Sequence, residues 1–219
     1  MISKQTTAAL LWVSSLQFIL MEFIISATWT IPYSFNKNYI SDLGAKYRGE
    51  FPPGSGSLVD SPQHVFMNAS FILFGITCAL GALLLRRSMR NAPYKILLNA
   101  ITTCLVLTGI GVMLIGAFPE DVNLYGHLSG AVLQVLGSNT AFVLAGVWLL
   151  KSGHPATGAI SIIAGIFSLC AFLVTGYVGF KGPLLGLYAG AWERMSVWTM
   201  IAWLSITGIF LVVKNIPRG

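Results

Sequence analysis

Asn38-Tyr39-Ile40-Ser41-Asp42-Leu43-Gly44, followed at Ser61-Pro62-Gln63-His64 by the start of a long apolar run, is the stretch whose reading decides this chain. It forms the middle and end of the one long hydrophilic segment, 31–60, and apolar runs of about bilayer length lie on both sides of it. Of 219 residues, 55% are hydrophobic and only 9% charged, against roughly a quarter charged in a soluble domain. A helix rising about 1.5 Å per residue needs about twenty apolar residues to cross roughly 30 Å of hydrocarbon. Six runs meet that length, at about 7–30, 61–85, 95–118, 124–150, 156–180 and 189–213. The ten-residue alternating segments of a barrel are absent. The expected fold is therefore one all-α integral membrane domain over 1–219, with six transmembrane helices and one long loop between the first and second.

Ser61 is the expected N-cap of the second span, with Pro62 in its first turn where a missing N–H costs nothing. Pro52-Pro53-Gly54-Ser55-Gly56-Ser57 reads as a flexible stretch of the loop. The first apolar run is longer than the h-region of a signal peptide, so a retained span is expected. Lys4, Arg86, Arg87, Arg90, Lys95, Lys151, Lys214 and Arg218 fall at one end of the spans, eight of the thirteen basic residues. All seven acids, Glu22, Asp42, Glu50, Asp60, Glu120, Asp121 and Glu193, fall toward the other end. By the basic bias, both termini are expected in the cytoplasm and the long loop outside, in a plasma or inner membrane. The net charge of +6 is thus an orientation signal, and nucleic acid is not an expected partner. Cys78, Cys104 and Cys170 lie inside apolar runs, where small packing residues are the expected role.

Ionisable groups at membrane depth are expensive and face the bundle interior. Glu22 lies roughly 13 Å below its helix end at about 1.5 Å per residue. His64 and Asn68 share one helix face at a spacing of four. His127, Gln134 and Ser138 form a second polar stripe, and Glu193-Arg194 opens the sixth span. A pairing of Arg194 with Glu22 or with Asp42 is expected; snorkelling of Arg194 to headgroups is the plainer alternative. Gly126 and Gly130, like Gly182, Gly186 and Gly190, stand four apart and read as close-packing positions. A metalloprotease helix, a nucleophile elbow, a Walker loop and a dinucleotide fingerprint are all missing. A zinc site needs three or four good ligands. Of the three histidines only His64 and His127 lie on the plausible side, since His154 belongs to the opposite turn. An Asp42–His64–His127 metal site stands as a lesser alternative; no metal is assigned and the cofactor is unknown.

The chain resembles the prokaryotic six-span family catalogued as domain of unknown function 998 (DUF998). The matching pieces are Ile40-Ser41-Asp42-Leu43-Gly44-Ala45, Ser61-Pro62-Gln63-His64 with Asn68, and Gly116-Ala117-Phe118-Pro119-Glu120-Asp121 with His127. Glu193-Arg194 with Trp203 completes the set. The resemblance implies fold and topology and no activity.

The expected function is an outward-facing polar pocket that binds a ligand like a lipid headgroup; whether it is an enzyme is left open, and as an enzyme it would hydrolyse or transfer at that headgroup. His64 or His127 would be the general base and Asp42 its orienting group. Glu22, Asn68, Glu120, Asp121, Gln134, Glu193 and Arg194 would form the binding set. Two other readings stand beside it. One is a small proton-coupled transporter titrating at Glu22; the other is a non-catalytic subunit whose partner is another membrane protein.

Overall fold

The computed structural model describes residues 3–50 and 58–214. The expected flexible stretch at Pro52–Ser57, and Arg218, lie outside the described residues. Six helices among them are long and apolar enough to cross a membrane; the chain is an all-α, multi-pass membrane protein. The first span, Lys4–Ser26, is built from α1 (Lys4–Val13) and α2 (Leu16–Ser26). The others are α3 (His64–Ser88), α4 (Lys95–Ala117), α5 (Leu124–Lys151), α6 (Pro155–Lys181) and α7 (Ala189–Lys214).

The break between α1 and α2 has a local cause. Ser14 Oγ donates to Leu11 O at 2.8 Å and Ser15 Oγ to Trp12 O at 2.6 Å, a side-chain competition that loosens a helix. The backbone tightens to bonds three residues apart, Gln17 N to Ser14 O and Phe18 N to Ser15 O, both 3.0 Å. Ser15 also meets Ser205 of α7 at 3.0 Å, which fixes the joint against its neighbour.

Each span packs on the next, and α7 returns to α1, so the six close into a ring. Glycine lets backbones touch where the ring is tightest. A Cβ on Gly111 of α4 would lie 2.5 Å from Gln134 N and 2.6 Å from Gly130 O of α5, a contact only a residue without a side chain allows. The expectation for Gly182 and Gly186 needs correcting. A Cβ built on either would meet no atom within 4 Å; their φ values of +95° and +77° show turn positions instead, a backbone region that glycine enters without steric cost. Gly190 alone of that series is a packing contact.

The start of the second span also differs from expectation. α3 begins at His64 with Gln63 as N-cap and no side-chain capping bond. Ser61 instead lies before the helix, with its hydroxyl turned across the loop and donating to Leu43 O at 2.7 Å. The loop itself holds a 3-10 turn at Ser41–Gly44, then β1 (Arg48–Glu50) paired antiparallel with β2 (Leu58–Asp60). Arg48 bridges Asp60 at 2.9 Å beside it, and Thr30 Oγ1 donates to the same carboxylate.

Candidate functional site

The loop is bound onto one end of the ring by side chains from three places and by backbone N–H groups from a fourth. From α7, Arg194 reaches up and is 4% exposed. Its Nη1 lies 2.9 Å from Phe35 O, 2.7 Å from Asn38 O and 2.8 Å from Gly190 O. Nη2 donates to Tyr33 Oη, and the guanidinium carbon stands 5.0 Å from the Phe35 ring centre and 5.5 Å from that of Tyr33. Nε donates to Glu22 Oε1 at 2.7 Å. Glu22 is 0% exposed, and its second oxygen accepts from Trp198 Nε1 at 2.9 Å. Of the two partners the sequence leaves open for Arg194, the ion pair forms with Glu22. A guanidinium suits the position because its planar fork satisfies several acceptors at fixed angles, which an ammonium cannot.

From α3, Asn68 Nδ2 donates to Gly44 O at 2.9 Å. From the α4–α5 turn, Asp121 Oδ2 accepts from Tyr47 N at 2.6 Å. From the α6–α7 connection, Tyr188 N donates to Asn36 Oδ1 at 2.9 Å, and from the first turn of α7 Ala191 N donates to Asn36 O at 3.0 Å. We expect Asn68→Ala to lower stability by about 1–2 kcal/mol, the usual result of leaving a buried carbonyl unpaired. Thermal unfolding of the purified protein would show it, and an unchanged midpoint would mean the Gly44 carbonyl finds water instead.

Under the 3-10 turn lies a cavity of about 50 Å³ at the centre of the ring, and every span contributes to its wall. Ile40 and Ser41 form the roof; His127, Gln134, Glu193 and Ser196 are its polar side. Glu193 Oε2 accepts from Ile40 N at 2.5 Å. Gln134 donates through Nε2 to Met200 Sδ at 3.4 Å. His127 bonds the Phe118 carbonyl through Nδ1 at 3.1 Å and also faces the carbonyl of Ile115. Both belong to the last turn of α4, whose carbonyls have no partner within the helix. His127 therefore closes the end of a neighbouring helix as well as lining the cavity.

Beside the roof, Asp42 accepts from Tyr39 N at 2.9 Å and Asn38 Nδ2 at 3.2 Å. It also shares a hydrogen bond with Glu120, which holds Ser41 as well. Two carboxyls in contact must share a proton. Burial holds Asp42 above its ordinary value. Burial first, then the Asp42 charge, hold Glu120 well above its own. Glu193 adds to that push on Glu120, while Arg194 lowers Asp42. The folded pair binds protons more tightly than the unfolded chain, so its contribution is intact at low pH. It is lost as pH rises from about 4 upward through the raised values. The measurement is thermal stability at pH 5 against pH 8: wild type should fall with pH, and Glu120→Gln should flatten the dependence. A wild type more stable at pH 8 with a steeper variant would contradict the shared proton.

The candidate residues thus gather in part. His127, Gln134 and Glu193 share the cavity, with Asp42 and Glu120 at its roof. Glu22 and Arg194 form an adjoining pair that does not line it. His64 bonds Ser61 O through Nδ1 at 3.0 Å and does not line it either. Asp42 is bonded to neither histidine. Among the described residues no three His, Cys, Asp or Glu form a set that could hold a metal, and Asp42, His64 and His127 do not assemble as one. Sequence reasoning passed over Phe18, Phe71, Phe74 and Phe172, which complete the wall. Aromatics inside apolar spans carry no mark separating a cavity wall from ordinary packing. It also passed over Asn38, whose amide and carbonyl both serve the roof; a polar loop residue four positions before Asp42 was the available signal.

A family described as protein of unknown function (DUF998) matches residues 8–209. The chain belongs to DUF998. Within this DUF998 protein the matched region runs from inside the first span to inside the sixth and takes in the described part of the roof and the cavity-lining residues named above. No curated protein and no solved structure matches the chain.

Proposed function

We propose that this protein presents an outward-facing chamber that binds the polar head of a small amphipathic ligand, of the lipid-headgroup kind. The observation that carries the reading is the cavity lined by all six spans and roofed by a tethered loop. Such a site, apolar with a few convergent polar groups, has the make-up of a ligand pocket. Its outward aspect rests on the basic residues gathered at the opposite end of the spans. At about 50 Å³ it holds roughly four water-sized positions, taking on the order of 10–15 Å³ for each. It takes a compact head group and no acyl chain.

Binding has more behind it than catalysis. Hydrolysis or transfer would need a base held by an orienting group next to a reacting atom. His127 is turned to the end of α4, His64 lies off the chamber, and Asp42 is engaged with Glu120. The carrier reading has less support, since both oxygens of Glu22 are occupied by Arg194 and Trp198. A non-catalytic subunit would leave chamber substitutions silent.

The experiment is native mass spectrometry of protein extracted in a mild detergent. The expected result is one small amphipathic species per chain in wild type, lost in Ala131→Phe, which fills the chamber from α5 without removing a polar group. An equal load on both proteins, or none on wild type, would count against the reading.

A further inference from the structure

We infer that the chamber recognises a small organic cation, a quaternary ammonium group. This rests on the chamber being a binding site and specifies what it takes. Three features of the wall converge on that class.

The first is charge. Among the described residues Glu193 is the one carboxyl that lines the cavity, and it accepts a single backbone N–H, from Ile40. Asp42 and Glu120 stand at the roof. Among the described residues no lysine or arginine lines the cavity; Arg194, the residue after Glu193, sends its guanidinium to Glu22 and the loop carbonyls. A phosphate placed here would meet the Glu193 carboxyl with no lysine or arginine to offset its own charge, whereas a cation would find a carboxyl able to serve as its counter-ion in a site of low dielectric.

The second is the polarity of the uncharged groups. Gln134 gives one amide N–H to Met200 sulfur, which leaves its carbonyl oxygen as an acceptor beside one remaining N–H. Ser196 pairs with Ser168 of α6, hydroxyl to hydroxyl at 3.1 Å. The His127 ring faces carbonyls of α4. The wall therefore offers acceptors and few donors.

The third is the apolar side. Phe18, Phe71, Phe74 and Phe172 converge from α2, α3 and α6; Phe18 meets Phe71 edge-on with ring centres 4.7 Å apart. Phenyl rings attract a cation through the negative face of the π system, and a carboxylate with aromatic walls is the usual way to hold a quaternary ammonium. A primary ammonium needs three acceptors of its own, more than phenyl walls supply. A trimethylated nitrogen has no N–H to satisfy and is about the size of the space.

The test is binding to purified wild type in a maltoside detergent, read by calorimetry and thermal shift. The probes are choline, its neutral carbon isostere 3,3-dimethylbutanol, and inorganic phosphate. Choline should bind, the isostere at least about tenfold more weakly, and phosphate not at all. Glu193→Gln keeps an acceptor for Ile40 N and should weaken choline about tenfold or more; Phe172→Leu, on half-buried α6, should weaken it severalfold with unchanged folding. Equal binding of choline and isostere, or tighter binding of phosphate, overturns the cation inference while leaving the chamber as a site. Failure of choline with retention of a co-purifying ligand does the same. Failure of every probe with no co-purifying ligand overturns the chamber reading as well.

Discussion

Arg194→Ala should be the most damaging single substitution in the protein, destabilising it by about 3–5 kcal/mol. Glu22 is fully buried, and losing its counter-charge strands a carboxylate where water cannot reach it. The same change releases the carbonyls of Phe35, Asn38 and Gly190 and the Tyr33 hydroxyl, so the loop loses its main anchor on α7. Arg194→Lys separates the two effects. A lysine keeps the charge near Glu22 but lacks the fork, so folding should largely survive while the loop loosens. Glu22→Leu with Arg194→Met removes both charges and should recover much of the stability without restoring the loop, because an ion pair replaced by apolar groups is often tolerated. Thermal unfolding and yield of monodisperse protein for wild type and the three variants would decide; a double variant as unstable as Arg194→Ala would show that the anchoring, not the stranded charge, dominates.

Gly190→Ala should be the second. A methyl group there would run into the Asn38 carbonyl oxygen and lie 2.8 Å from its carbon and 3.0 Å from Arg194 Nη1. These are backbone and a fully engaged guanidinium, neither of which can swing away. Overpacking of this kind costs about 1–3 kcal/mol, and here the relief is for the loop to lift. The expected signature is a lower unfolding midpoint together with faster exchange in the loop. Gly176→Ala, at a helical position that meets nothing within 4 Å, is the control and should leave both unchanged. Equal effects at the two glycines would mean helix propensity, not the close approach of Asn38, is being measured.

The six apolar helices could be read from run length because bilayer thickness sets it directly. The first span's joint could not: Ser14 and Ser15 break it by hydroxyl bonds to their own helix, with no proline or glycine to announce it. Ser61 shows the complementary error. Its sequence context is that of a cap, but Leu43 O competes for the hydroxyl from eighteen residues back, and only the folded loop brings them together. Glu22 and Arg194, 172 positions apart, were constrained by cost alone: a charge at that depth needs a partner, and few candidates exist. Asp42 and Glu120 were each visible as loop acids, while their shared proton depends on a contact between the first loop and the α4–α5 turn. The Gly182-Gly186-Gly190 spacing misled because a four-residue period suits both helix packing and a turn that needs positive φ.

The account depends on the loop being a docked roof rather than a free connection, and amide hydrogen exchange across 38–45 in the solubilised protein tests it most directly. Asn38, Tyr39, Ile40, Leu43 and Ala45 each donate their backbone N–H, to Ser34 O, Asp42 Oδ2, Glu193 Oε2, Ile40 O and Asp42 O. Those amides should exchange nearly as slowly as the centres of the spans in wild type, and far faster in Arg194→Lys. Exchange in wild type at the rate of an unstructured peptide would contradict the docked roof, and the chamber beneath it with it.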